Sequence, residues 1–269
     1  MARQADKNHI ENVWRTFMTT GLDEEEIRQR NLFKLLPATQ RCRFCLAPLQ
    51  GFSSPLIRVF YRKGPSRMNP HLCNACELFA EEHQGGAEVE LSLLFADVRG
   101  STTLAEQMSP TEFSALINRF YNVATRVMVR SDGLIDKIIG DQVAAMYTLS
   151  FAGQDHAHKA LWAAQQLLHD TGHHSPEGPW IPIGVGIHTG IAFVGSVGRE
   201  SGLSDITVLG DAPNTAARLS SSARQGEILI SDAAYRRVSA NLGPMETRTL
   251  ELKGKNQPVL VYVLRGNRA

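Results

Sequence analysis

Two segments of this chain end an apolar run on a lone carboxylate: LSLLFADV with Asp97, and the stretch DKIIGDQVAAMY with Asp141. A single acid at the end of a buried strand is unstable unless something positive sits on it. Two such acids point to a shared metal site. LSLLFADV is apolar enough for a central strand and breaks at Arg99-Gly100-Ser101-Thr102 before helical periodicity begins. Leu134 to Ile139 and Val143 to Thr148 read as two strands joined at Gly140-Asp141, a pair that tolerates positive φ, so Asp141 is expected on a hairpin tip.

The four cysteines form two C-x-x-C pairs, Cys42 with Cys45 and Cys73 with Cys76. Without a sign of export, that pattern reads as a metal site before it reads as disulfides. One structural Zn2+ is expected, standing in for a core that so short a segment cannot build, with an iron–sulfur cluster or a redox switch as the alternatives. Between the pairs, LIRVFYRKGPSRMN has strand character around Lys63-Gly64-Pro65 and predicts a hairpin; CNACELFAEEH then opens a helix on its cysteines. Knuckle, hairpin and helix together resemble a treble-clef zinc finger. His71 and His83 lie nearby as surface residues, and Arg58, Arg62, Lys63 and Arg67 read as a solvated basic hairpin.

Ahead of this module, Asn8 to Thr19 and Asp23 to Leu36 predict two short helices, the second capped by Asp23 and favoured by Glu24, Glu25 and Glu26 at its positive end. Gln84-Gly85-Gly86-Ala87 is the expected hinge. The domains are therefore 1–37 (N-terminal helices), 38–86 (metal module and linker) and 87–269 (main domain), which suits a chain of 269 residues. The net charge of +1, with basic residues spread along the chain, calls for neither nucleic acid nor an anionic membrane. No stretch approaches the ~20 apolar residues that span a bilayer, and the start lacks the apolar segment of a signal peptide, so the expected location is cytoplasmic.

In the main domain the order is strand to Asp97, helix Pro110 to Ser131, hairpin across Gly140, helix Asp155 to Gly172, strands Ile181 to Thr189 and Ile191 to Val197, and a loop. A helix Asp211 to Ser222, a strand Glu227 to Ile230, and strands near Leu250 and Val259 to Leu264 follow. This is an α/β arrangement, an α+β sandwich with antiparallel pairs. VGSVG follows a strand without opening a helix, so it is not a dinucleotide loop. His156, His158, His173 and His174 have no spacing partners among the acids and are expected at the surface.

FADVRGST, KIIGD and LGDAPNTAARL, in that order and spacing, closely resemble the catalytic domain of class III nucleotidyl cyclases, over Glu88 to Arg265. The resemblance implies a ferredoxin-like, palm-type fold with two Mg2+ or Mn2+ ions per active site, held by Asp97 and Asp141. The turn at Gly100 and Ser101 leads into a helix whose free N–H groups suit phosphate. Asn214 and Arg218, four apart on one helix, point the same way; they match the ribose-orienting asparagine and the transition-state arginine. Lys253 matches a lysine for terminal phosphates. Lys137 matches the lysine that meets adenine in adenylyl cyclases, where guanylyl cyclases carry glutamate. Thr207 stands where many adenylyl cyclases have aspartate, as in a threonine-containing bacterial subgroup; its hydroxyl can still accept from the adenine amino group. The implied protein is an adenylyl cyclase acting on ATP as a head-to-tail homodimer with two shared sites, with regulation expected through the N-terminal module. A guanylyl cyclase and a non-catalytic nucleotide-binding regulator are the alternatives.

Overall fold

The computed structural model describes residues 2–198, 204–238, 242, 245–255 and 257–266. They form two compact units. The first comprises Met1–Val89, Leu149–Phe151 and Phe193–Leu209; the second comprises Glu90–Thr148, Ala152–Ala192 and Gly210–Ala269.

The first unit opens with α1 (Ala2–Thr19) and α2 (Glu24–Leu35). Asp23 and Glu26 close a reciprocal capping box: the Asp23 carboxylate accepts from Glu26 N at 2.7 Å, and Glu26 accepts from Asp23 N at 3.2 Å. Trp14 is fully buried and donates from Nε1 to His83 O at 2.8 Å, and Phe17 stacks on Phe44 at 5.7 Å. The short strands β1 (Gln40–Arg41) and β2 (Pro48–Gln50) pair antiparallel as a knuckle. Then come α3 (Ser54–Tyr61) and α4 (Asn74–Glu82), the latter capped by the Cys73 side chain, which accepts from Cys76 N.

The expected hairpin between the cysteine pairs is instead the helix α3. Pro55 sits in its first turn, Ile57 is buried, and Leu56, Val59 and Phe60 recur at helical spacing rather than alternating. The knuckle and the helix of the treble-clef reading are present. The expected hinge also differs, because β3 (Gly85–Val98) already begins there. A Cβ on Gly86 would lie 2.7 Å from Gly195 Cα, so these glycines serve close backbone approach rather than freedom.

The remaining elements are α5 (Ser101–Gln107), α6 (Pro110–Arg130), β4 (Leu134–Ile139), β5 (Gln142–Tyr147), α7 (Leu149–Ala152), α8 (His156–Asp170) and β6 (Ile183–Gly198). They continue with β7 (Ser204–Leu209), α9 (Asp211–Ser222), β8 (Glu227–Ser231), α10 (Asp232–Val238), β9 (Glu246–Leu250) and β10 (Val259–Arg265). The mixed sheet runs β4-β5-β3-β6-β8-β10-β9, with β6 parallel to β8 and antiparallel pairs at both ends. Every residue of β8 is buried, as a strand covered on both faces requires. In the first unit, the C-terminal part of β6 pairs antiparallel with β7.

Two strands expected at 181–189 and 191–197 are one continuous strand, β6. Gly190 does not turn the chain; a Cβ there would stand 3.0 Å from His188 Nε2 and 3.3 Å from Ala212 Cβ. The expected loop before Asp211 contains β7, and its first part, 199–203, lies outside the described residues. Two histidines expected at the surface are buried. His156 bonds Ser92 Oγ through Nδ1 at 2.8 Å, and His173 bonds Thr171 Oγ1 at 2.9 Å and accepts from Ile183 N at 3.3 Å. Neighbouring hydroxyl and amide groups satisfy both rings, which spacing along the chain does not reveal.

Candidate functional site

Asp97 is the penultimate residue of β3 and stands opposite Gln142 of β5. Val98 N donates to Asp141 O at 3.1 Å, so the backbone of the second acid is fastened beside the end of the strand that carries the first. Gly140 makes the turn at φ 61°. The Tyr121 hydroxyl donates to Gly140 O, and burial, with the Asp141 charge behind it, raises its pKa. Both acids thus rest on ladder geometry rather than on a flexible loop.

The Asp97 carboxylate is 13% exposed and carries the Arg99 guanidinium as its ion-pair partner. Arg99 also donates to Ser221 O at 2.7 Å, tying this turn to the end of α9. Burial lowers the Arg99 pKa, and the Asp141 charge opposes that. Gly100, at φ 67°, precedes α5, which Ser101 begins. A cleft of about 580 Å³ is lined by Ser101, Thr102, Phe113, Tyr121, Gly140 and Asp141. Asp97 and Asp141, carried on adjoining backbone, offer hard carboxylate oxygens of the kind that suits Mg2+ or Mn2+.

Asn214 is exposed on α9 and Arg218 follows one turn later, partly buried. The Arg218 guanidinium lies against Gly254, where an added Cβ would stand 3.2 Å from Nη2. Lys253 and Lys255 line a cavity of about 420 Å³ with Glu251, Gln257 and Pro258. Lys255 pairs with Asp211 at the head of α9, and that hydrogen bond holds the Asp211 carboxyl below its ordinary range. Lys137 sits on β4 four residues before Asp141, 40% exposed, with Nζ 3.4 Å from Oδ2 of the buried Asp136. A bulge between Ile135 and Lys137 aims this stretch. Thr207 is buried on β7 opposite Gly195, in the first unit.

Asp97, Asp141, Gly100 and Ser101 therefore form one group, and Asn214, Arg218 and Lys253 another. Sequence reasoning gave no role to Arg99, Asp136 or Lys255. Arg99 and Lys255 sit inside motifs already singled out, FADVRGST and LKGK, and Asp136 precedes Lys137, but only coordinates show which carboxylate each meets.

In the first unit, the four cysteine sulfurs lie within 4.8 Å of one another, with Cys45 Sγ and Cys73 Sγ 3.6 Å apart. Tetrahedral Zn–S bonds of about 2.3 Å put sulfurs roughly 3.8 Å apart, so the cluster fits such an ion. Burial pushes the Cys42 thiol up, while hydrogen bonds with the Cys42, Cys73 and Cys76 thiols pull Cys45 down. Two cations face the sulfurs. Arg30 is buried, donates to Phe44 O and lies 4.8 Å over the Phe151 ring; its Nε and Nη2 have no hydrogen-bond partner among the described residues. Burial lowers its pKa to about 10 against the charge of Cys45, Cys42 and Cys76. For Lys63, burial works downward and the charge of the four sulfurs overcomes it, leaving the pKa raised. His71 and His83 are outside the cluster.

The mixed sheet and its flanking helices agree with the comparisons. The family profile described as "Adenylate and Guanylate cyclase catalytic domain" matches residues 85–266, and the chain belongs to that family. It is 30% identical over 186 residues to "Adenylate cyclase" of Anabaena cylindrica, covering 65% of this chain and 36% of that protein. It is 29% identical over 194 residues to "Adenylate cyclase 1" of Rhizobium meliloti (strain 1021), covering 68% and 29%. The match thus spans about a third of the length of these curated relatives. Among solved structures, the guanylyl cyclase Cya2 superimposes with a TM-score of 0.60 at 25% identity, over 67% of this chain and 93% of that one. The adenylyl cyclase CyaB from P. aeruginosa does so at 0.58 and 27%, over 68% and 97%. The chain therefore has the α/β cyclase fold, preceded by a helical region that holds a four-cysteine cluster.

Proposed function

We propose that this chain is an adenylyl cyclase, converting ATP to 3′,5′-cyclic AMP and pyrophosphate as a head-to-tail homodimer. The observation that carries the cyclase reading is the fastening of Asp141 beside Asp97 through Val98 N and the β3–β5 register. Asp97 and Asp141 would hold two Mg2+ or Mn2+ ions. When bound, such ions acidify the ribose 3′-hydroxyl and neutralise the triphosphate.

The chain's own residues do the rest. The uncapped amides after Gly100 and Ser101 receive phosphate oxygens. Asn214 orients the ribose, and Arg218 neutralises the charge that develops on the α-phosphate. Lys253 holds the terminal phosphates. Lys137, held at 3.4 Å by Asp136, supports adenine because an ammonium donates to a ring nitrogen acceptor. Thr207 accepts from the adenine amino group. One protomer supplies the aspartates; the other supplies Lys137, Thr207, Asn214 and Arg218. The cysteine cluster holds one structural Zn2+, and segments 1–37 and 38–86 regulate the catalytic segment 87–269.

Purified protein is incubated with manganese and either ATP or GTP, and the cyclic product is quantified beside Asp97→Ala and Lys137→Glu. Cyclic AMP from ATP, abolished in Asp97→Ala, is the expected result. Cyclic GMP from GTP alone would move the assignment to a guanylyl cyclase, and no product from verified dimers would leave a nucleotide-binding regulator.

A further inference from the structure

The chain-wide charge balance conceals a local asymmetry. From Ile27 to Cys76 the sequence holds Arg28, Arg30, Lys34, Arg41, Arg43, Arg58, Arg62, Lys63 and Arg67, and no aspartate or glutamate. Within this acid-free stretch, α3 buries Ile57 on one side and leaves Leu56, Val59 and Phe60 outward at 54, 73 and 75% exposure. These three positions, spaced i, i+3 and i+4, share one helical face. Phe52, just before the helix, is 89% exposed, and Leu35, at the end of α2, is 83% exposed. The two ends are joined: Ser53 Oγ donates to Pro37 O, Thr39 N donates to Gln50 O at 3.1 Å, and the Phe33 and Tyr61 rings meet edge-on at 5.1 Å. A soluble surface scatters its exposed apolar residues singly; five this exposed in one region form a patch that asks for a partner.

We propose that this face of the cysteine-bearing unit docks onto an anionic lipid surface, with Phe52, Leu56, Val59, Phe60 and Leu35 entering the acyl boundary and Arg58, Arg62 and Arg67 meeting the headgroups. Two observations favour lipid over a protein groove. Four of the five side chains are 73–89% exposed, which suits a fluid apolar phase without complementary shape, whereas a groove that accepts a partner helix presents half-buried walls. The charged residues of the stretch that carries this face are all basic, from Ile27 to Cys76, the pattern of an interfacial helix at a negatively charged bilayer. No described helix is long and apolar enough to cross a membrane, so the contact is with its surface.

The full chain, isolated with its metal, is sedimented with vesicles of phosphatidylcholine alone and with vesicles of equal parts phosphatidylcholine and phosphatidylserine. Phe52→Ser with Phe60→Ser and Arg58→Glu with Arg67→Glu are compared with the parent, with circular dichroism and metal stoichiometry confirming that each variant is folded. Sedimentation with the anionic vesicles only is expected, weakened roughly fivefold for each basic side chain removed and by added salt, and abolished in the phenylalanine variant. Sedimentation with neither vesicle, equal sedimentation with both, or a phenylalanine variant that behaves like the parent would overturn the proposal. So would a dimer that becomes monomer in the phenylalanine variant without vesicles, which would give the face to a second copy of the chain.

Discussion

Arg218 projects from the middle of α9 and rests its guanidinium against Gly254, whose positive φ and missing Cβ leave it that space. An arginine so held is ready to meet charge without reorganising, which is where electrostatic catalysis gains most. Arg218→Ala is expected to lower kcat by about 10²–10³, or roughly 3–4 kcal/mol in the barrier, with KM for ATP changed far less; steady-state kinetics with manganese and ATP separate the two. Arg30 poses the opposite case, a buried cation with two nitrogens lacking hydrogen-bond partners among the described residues and the charge of the cysteine cluster as its compensation. Its removal leaves the anionic cluster under-compensated, so Arg30→Met is expected to destabilise the metal-bound protein by about 3 kcal/mol, and the metal-free protein much less. Urea unfolding with and without a chelator measures both; equal losses would deny the coupling. The four cysteines and the two aspartates were legible as residue types in fixed patterns. Arg30 was not, because a lone arginine on a helix carries no spacing signal and only its burial gives it meaning.

At the scale of elements, α9 carries Asn214 and Arg218 and packs on the sheet through β6, where Gly184 and Gly186 leave room for it. A Cβ on Gly186 would stand 2.5 Å from Ala216 O and 2.8 Å from Leu219 Cβ, both within α9. Backbone atoms cannot step aside as a flexible side chain does, so Gly186→Ala must shift the whole helix. The expected outcome is a loss of roughly 1–3 kcal/mol in stability, together with a fall in kcat larger than unfolding explains. Activity measured well below the melting transition checks it, and unchanged kcat with lowered stability would confine the effect to packing. Long periodic elements such as α6 and the β4–β5 hairpin were readable because one register buries their apolar side. Two others misled for physical reasons. α3 is rich in strand-forming Val, Ile, Phe and Tyr, yet Pro55 and the i, i+3, i+4 spacing prevailed, and Gly190 read as a break although its role is to pass close to His188 and Ala212.

For the molecule as a whole, pH acts through groups whose shifts have opposite signs of charge but one direction of effect. Burial, with the Lys255 charge behind it, lowers His188 from 6.5 to about 4, and burial also lowers His156 and His173. A histidine whose folded pKa lies below its unfolded one contributes stability that is fully present above the unfolded value and is lost as pH falls toward the folded one. The unfolded chain binds protons that the folded chain refuses, so stability declines from about pH 6.5 downward, by as much as roughly 3 kcal/mol for His188 alone. The carboxylates open a second, more acidic window. Burial works to raise Glu227, but the hydrogen bonds it accepts from Arg248 at 2.7 and 2.9 Å and from Arg224 N, with the charges of Arg248 and Arg265, together outweigh it and leave the pKa lowered; the hydrogen bond with Lys255 lowers Asp211. Their contributions persist above the unfolded carboxylate value and disappear below about pH 4. Urea midpoints between pH 7.5 and 3.5 should therefore fall in two stages, and His188→Gln should flatten the first while leaving the second. That variant also discriminates between causes: a first stage that survived it would belong to His156 and His173 if a chelated sample kept it, and to thiolate protonation at the cysteine cluster if a chelated sample lacked it.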